Sequence, residues 1–348
     1  MTPSLSAKSR YILFPLALFY WGVVLWRNLF YTVGFFVTRC LPCSVISVGN
    51  LTVGSTGKTP AVIYLAQKLQ KNGFHPAILS RGYGRNTTGT VIVSDGEKCL
   101  TGCKEGGDEP YLMAQRLFGV PIVVDEVRYR GGCFIVEKFH PDVILLDDAF
   151  QHRALARDLD IVLLNSQDSP EAYKMLPYGK LREPPFHLRR ADLLIWTKRN
   201  LSRPPVAVRS RVERYGVPIL SSRLLSAPEL RSADGTVMSL AELKGKKVFA
   251  FCGVGDPQSF FRMVEQTGAD IVGRKAFDDH HNYNKEETKH IVSDLKNQEV
   301  DCFITTEKDL FKVAPYFGSD KLYALGVEFK PTPAGEKELL AMVKGVLG

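Results

Sequence analysis

A doubly wound α/β fold with a parallel sheet is what this sequence predicts, on two observations. Short apolar runs that read as buried strands alternate with longer helical stretches between Ser44 and Trp196. The first of those runs passes into a glycine-rich loop and then a helix, the order in which such folds present a phosphate site. A second, smaller α/β unit is expected near the C-terminus, and an apolar, membrane-associated helical segment precedes both. The expected division is 1–40 for that segment, 41–199 for a nucleotide- and substrate-binding core, 200–247 for a linker with a β-ribbon, and 248–348 for the C-terminal α/β domain.

The length of 348 residues suits two such domains. With 45% hydrophobic and 24% charged residues, the composition excludes a disordered chain. Lys and Arg exceed Asp and Glu by 45 to 37, but no run of five basic residues occurs. The excess therefore argues against a nucleic-acid partner and suits an anionic membrane surface or a phosphorylated substrate. No obligate protein partner is indicated. Seven cysteines, an odd number, give no complete disulfide framework, and Cys40 and Cys43 read as an incidental pair in a reducing cytosol.

Residues Tyr11 to Trp26 carry no formal charge; Arg27 follows, then a further uncharged stretch to Thr38. No small-residue cleavage site follows the run, which argues against a signal peptide. A spanning helix, a helix lying in the interface and a buried helical hairpin all stay open. The aromatics Phe14, Phe19, Trp21, Trp26 and Tyr31, with cations at Lys8 and Arg10, favour the interface.

Ser44 to Val48 is the first expected strand. Gly49-Asn-Leu-Thr-Val-Gly54-Ser-Thr-Gly57-Lys58-Thr59-Pro60 and a helix to about Asn72 follow, which is the setting of a P-loop. Gly54, Ser55, Thr56 and Gly57 are small enough for their backbone N–H groups to wrap phosphate oxygens at a helix N-terminus. Lys58 would neutralise the β- and γ-phosphates of ATP, and the Thr59 hydroxyl would bind Mg²⁺. The strict pattern wants glycine where Thr52 stands.

Pro141 to Leu146 is an apolar strand ending in Asp147 and Asp148, the place for carboxylates that organise the metal. Further strands are expected at Pro76 to Ser80, Pro121 to Val124, Ile161 to Leu164 and Leu193 to Trp196. Helices are expected at Asp108 to Phe118 and Arg128 to Phe139. Arg81, Tyr83 and Thr197-Lys198 then also lie at carboxyl ends of strands, where ligands gather in this fold. Beyond Lys198, strand-like pieces are read at Val206 to Val212 and Ile219 to Leu224. The second unit is read as a strand at Val248 to Cys252, a helix from Asp256 to Thr267 and a strand near Ile271. A helix near Lys285 to Leu295, a strand at Cys302 to Thr306 and a helix from Pro333 complete it.

Taken together and in order, these motifs resemble the lipid A 4′-kinase (tetraacyldisaccharide 4′-kinase) family. The resemblance rests on the P-loop, Leu79-Ser-Arg-Gly-Tyr-Gly84, Gly107-Asp-Glu-Pro110, Asp147-Asp-Ala-Phe-Gln-His152, Leu176-Pro-Tyr-Gly-Lys-Leu-Arg-Glu-Pro184, Phe277-Asp-Asp-His280 and Thr306-Glu-Lys-Asp309. It implies transfer of the ATP γ-phosphate to the 4′-hydroxyl of an acylated glucosamine disaccharide 1-phosphate, a lipid A precursor, at the cytoplasmic face of the inner membrane. Ala149 and Tyr178 depart from the usual family pattern.

The resemblance makes Asp108 the catalytic base and His280 its partner, although Asp108 also stands where a helix N-cap would. Arg182 and Glu183 resemble residues near the phosphates, Arg182 as a stabiliser of transferred charge and Glu183 nearer the substrate. Arg81, Tyr83 and His152 are candidates for contact with the substrate, and Glu307 and Lys308 for the nucleotide side. His280 and His281 lack a third ligand for zinc. A carboxylate-activating P-loop enzyme and a membrane-bound nucleotide switch are the rival readings. Dependence of nucleotide turnover on an acylated sugar acceptor discriminates them, and for the switch Thr197-Lys198-Arg199-Asn200 is only a faint echo of an Asn-Lys-x-Asp base-reading signature.

Overall fold

The computed structural model describes residues 7–293, 300–317 and 321–347. It opens with one helix, α1 (Ala7–Thr32). The P-loop half follows with β1 (Ser44–Asn50), α2 (Lys58–Lys71), β2 (Pro76–Ser80), β3 (Val91–Asp95), the one-turn α3 (Cys103–Gly106) and α4 (Asp108–Arg116). It continues with β4 (Pro121–Val124), α5 (Arg128–Phe139), β5 (Val143–Asp147), β6 (Leu159–Asn165) and β7 (Leu193–Thr197). Between the halves lie α6 (Val206–Glu213), β8 (Ile219–Arg231) and β9 (Val237–Ser239). The C-terminal half contains β10 (Lys247–Cys252), α7 (Pro257–Glu265), β11 (Asp270–Ala276), α8 (Lys285–Ser293) and β12 (Cys302–Thr306). It ends with α9 (Glu307–Phe317), β13 (Leu322–Pro331) and α10 (Pro333–Gly345).

All the strands join one sheet in the order β11-β10-β12-β13-β8-β7-β6-β1-β5-β2-β4-β3, with β9 paired to β8. From β4 to β8 the pairing is parallel throughout, so the carboxyl ends of β1, β2, β5 and β7 point to one edge. Every residue of β2, β5, β6 and β7 is buried. Helices cover both faces, which is why these strands are unbroken apolar runs rather than alternating ones. The P-loop strand β1 sits between β5, which ends in Asp147, and β6.

In the segment expected as a ribbon, the piece at Ile219 to Leu224 is a strand as expected, and the piece at Val206 to Val212 is not. Val206–Glu213 is helix α6, because Val208 and Val212, four apart, bury one helical face beneath the sheet. β8 is 13 residues long and pairs parallel with β7, then antiparallel with β13. Strands β3 and β13 and helix α9 were not read from the sequence. The last two residues of the helix expected to end at Leu295 lie outside the described residues.

The helix α1 runs unbroken through Arg27. Ala17, Val24 and Asn28 are buried against the protein, while Phe14, Leu18, Phe19, Val23, Trp26 and Leu29 are exposed. This is not the buried hairpin: Leu13–Thr32 is 20 residues, long and apolar enough to cross a membrane, and only 17% of its apolar window is buried. Each large side chain left in water forgoes about 1.5–3 kcal/mol of burial free energy, which favours a covering apolar phase.

Candidate active site

The P-loop forms at the carboxyl end of β1. Gly49 is required there, since a Cβ on it would lie 2.6 Å from the Phe150 Cβ. Gly57 ends the loop at φ 86°, a left-handed conformation that costs an ordinary residue energy, and α2 starts directly after it. Thr52, in place of the expected glycine, is held as an extended residue. Its hydroxyl donates to Asp168 Oδ2 at 3.0 Å, and the neighbouring Val53 N–H donates to the Lys180 carbonyl at 2.8 Å. The loop is thus strapped to the segment from Asp168 to Lys180. From above, the Thr197 hydroxyl donates to the Thr56 carbonyl at 2.9 Å.

Opposite the loop, the two acids at the end of β5 have separate environments. Asp148 adopts φ 50° and accepts from Arg182 Nη1 at 2.7 and 2.9 Å, with Lys58 Nζ 3.7 Å away. Asp147 accepts from the Ser80 hydroxyl at 3.1 Å through Oδ2, whereas its buried Oδ1 has no partner. Burial, then the nearby Glu109 and Asp148 carboxylates, raise the Asp147 pKa. A buried carboxylate oxygen without a donor, on the cleft that Lys58 and Thr59 also line, fits a hard cation with oxygen ligands.

A second cluster joins the two halves. Asp108 is the first residue of α4, and its carboxylate does not cap the helix; Gly107 occupies that position without a side-chain bond. Instead Asp108 Oδ2 meets His280 Nδ1 at 3.1 Å and Lys312 Nζ at 2.8 Å. Burial alone would raise the Asp108 pKa, but hydrogen bonds from His280 and Lys312 hold it below the usual carboxylate value. The same contact raises His280, against the opposing effect of its burial. Beside this group, Lys308 Nζ pairs with Glu109.

Both clusters border one cleft of about 970 Å³, and comparison with known proteins agrees with what they suggest. Residues 9–344 match the family model described as tetraacyldisaccharide-1-P 4′-kinase. The chain belongs to this kinase family. It is 41% identical over 345 residues to the tetraacyldisaccharide 4′-kinase of Syntrophus aciditrophicus, covering 94% of this chain and 91% of that one. With that of Chlorobaculum parvum it shares 39% over 312 residues, covering 89% and 86%. The crystal structure of LpxK from Aquifex aeolicus in complex with ATP superposes with a TM-score of 0.80 at 36% identity, covering 97% of this chain and 99% of that one.

Within this kinase fold, most residues singled out from the sequence line the cleft: Gly54, Ser55, Thr56, Gly57, Lys58, Thr59, Arg81, Tyr83, Asp147, Asp148, His152, Arg182 and His280. Glu307 and Lys308 line it too. Asp108 lies one layer back, behind Glu109 and His280, with 16% of its side chain exposed. Glu183 does not fit its expected place near the substrate. Its carboxylate is fully buried and held by Arg27 at 2.6 Å, Arg190 at 2.6 Å and His187 at 3.0 Å. This is an anchor for α1, where Arg27 turns towards the protein. His281 pairs with Glu287 at 3.1 Å and stacks on Phe277, away from Asp108. Tyr178 packs edge-on against Phe14 of α1, and Ala149 is buried in the core.

Several lining residues were not read from the sequence. Tyr20 and Arg27 bring α1 to the rim, and the Tyr20 hydroxyl donates to the Arg182 carbonyl at 2.9 Å. Arg128 is buried with its Nε unpartnered, and burial pushes its pKa down to about 10. Lys198, which the sequence did place at a strand end of the ligand side, pairs with Asp256, tying the end of β7 to the start of α7. Burial and the Arg128 and Arg157 cations push His152 down to about 4, so its imidazole is neutral at physiological pH.

Proposed function

We propose that this cleft transfers the γ-phosphate of ATP to the 4′-hydroxyl of an acylated glucosamine disaccharide 1-phosphate, with Asp108 as the base. The observation that carries the reading is the placement on one cleft of a P-loop and of His280, with Asp108 bonded behind it, in a chain of this kinase family. Backbone N–H groups of residues 54–58 and the Lys58 ammonium would hold the phosphates, and Arg182, released from Asp148, would take up charge on the transferred group. As the hydroxyl oxygen bonds to phosphorus, Asp108 accepts its proton, the bond from the γ-phosphorus to the bridging oxygen breaks, and ADP leaves. Thr59, Asp147 and Asp148 would hold Mg²⁺, which when bound neutralises charge on the β- and γ-phosphates. Arg81, Tyr83 and the neutral His152, which line the cleft, would bind the sugar–phosphate headgroup.

A second reading has its own observation. His280 lines the cleft while Asp108 stands behind it, so the imidazole could take the proton with Asp108 orienting it.

The exposed face of α1 supports attachment to the inner membrane with the cleft on the cytoplasmic side, where ATP is found. Detergent-solubilised protein with γ-labelled ATP, Mg²⁺ and the tetraacylated disaccharide 1-phosphate tests the reaction. Label on the 4′-position in wild type, lost in Lys58→Ala and Asp108→Ala, is expected. ATP binding without transfer to this acceptor would overturn the reading. Flotation with anionic vesicles, lost on deleting residues 1–38, is the expected outcome for the membrane.

A further inference from the structure

The reading of Asp108 leaves one of its contacts without a role. Lys312 projects from α9, 204 residues away in sequence, and its ammonium lies 2.8 Å from Oδ2 of Asp108 with only 9% of the side chain exposed. Burying a lysine in this way is costly unless it is paired, so the contact is built rather than incidental. His280 donates to the same oxygen from another element, at 3.1 Å. Among the described residues Oδ1 accepts no hydrogen bond. The carboxylate is therefore gripped by one oxygen from two sides, and its rotation about the Cβ–Cγ bond is fixed.

We propose that Lys312 is a positioning residue for phosphoryl transfer: it clamps Oδ2 of Asp108 opposite His280 and so holds the Asp108–His280 pair in one orientation behind the cleft. The inference rests on Asp108 acting in proton transfer. An ATP bound nearby brings negative charge, and Glu109 adds more from the adjacent position. A carboxylate in that field and half-buried would otherwise take up a proton from solvent and be lost as an acceptor. Lys312 opposes this with a fixed positive charge.

The groups around Asp108 and its partners His280, Lys308 and Lys312 come from every neighbouring element: Cys103 from α3, Glu109 from α4, Asp279 and His280 from the loop after β11, and Lys308, Asp309 and Lys312 from α9. Of these, Lys312 and His280 are the cations hydrogen-bonded to the carboxylate. A folded-state pKa that is held down by Lys312 rises when the ammonium is removed. The acid limb of kcat/KM, where activity falls as the acceptor becomes protonated, then moves to higher pH.

The test compares the full-length protein in detergent as wild type, Lys312→Met, Lys312→Arg and Asp108→Asn, over pH 5 to 9. Lys312→Met is expected to lose about 10–100-fold in kcat/KM at neutral pH and to shift its acid limb up by about one pH unit. Lys312→Arg, which keeps the charge, should retain the wild-type limb. Thermal melting and ATP affinity establish that each variant folds, with Lys312→Gln as the substitute if Lys312→Met does not. A uniform loss with the wild-type pH profile would reduce Lys312 to a structural ion pair and overturn the proposal, as would wild-type activity. If Asp108→Asn keeps transfer, the assignment of Asp108 falls and the proposal falls with it. If Asp108→Asn is inactive and the Lys312→Met limb has not moved, the proposal alone falls.

Discussion

The two ends of the cleft are built by different means. At the phosphate end, the loop between β1 and α2 is shaped by its own backbone, by left-handed glycines, and by straps from the same half of the chain such as Thr52 to Asp168. At the base end, Asp108 belongs to α4 while His280 and Lys312 belong to the C-terminal half, so the site exists only when both halves meet. The contrast suggests a division of labour. The phosphate end is built within the P-loop half, whereas the base end depends on how the halves are seated.

Substitutions at the two ends should therefore fail in different ways. Asp108→Asn is expected to give the largest loss, about 10²–10⁴-fold in kcat, with ATP affinity kept; isothermal titration beside the transfer assay separates the two. Lys58→Met should cost about 10²–10³-fold and, in contrast, weaken ATP binding as well. Equal loss of ATP affinity in both variants would erase the distinction between the ends.

Glu183→Ala tests the frame rather than the chemistry. Removing the buried acid leaves Arg27 and Arg190 facing one another without a counter-charge, which should destabilise the fold by about 3 kcal/mol in a denaturant titration. Catalysis should fall less than in either variant above. The smallest effect concerns His152. With its pKa pushed down to about 4 in the fold and an ordinary value when unfolded, the unfolded chain binds the extra proton between those values. Stability is then present above about 6.5 and declines as pH falls towards 4. His152→Gln should flatten that part of the Tm-against-pH curve.

How much of this could be read beforehand follows the same contrast. Strands β2, β4 and β12 were located to the residue because each is an apolar run with clear flanks, and the P-loop announced itself by local spacing. Asp147 and Asp148 followed from the strand that carries them. Asp108 and His280 came from resemblance, since nothing in 172 positions of separation links them locally. Lys312 and Glu109 were missed for that reason: an ion pair across the molecule leaves no periodic trace. Glu183 was misplaced because its neighbour Arg182 does face the cleft, and alternation along an extended segment turns the next side chain inward to Arg27. Val206 to Val212 misled because apolar residues at 206, 208 and 212 fit both an alternating and a helical pattern, and packing of Val208 and Val212 decided it.

Strand β8 bears on how the cleft can move. It is bonded to β7 near its start and to β13 along the rest, so the halves share a strand instead of being joined by a slack tether. Swinging one half away from the other would have to twist this hydrogen-bonded ribbon, in the manner of a torsion bar, so the joint resists wide opening and favours the seating in which His280 and Lys312 meet Asp108.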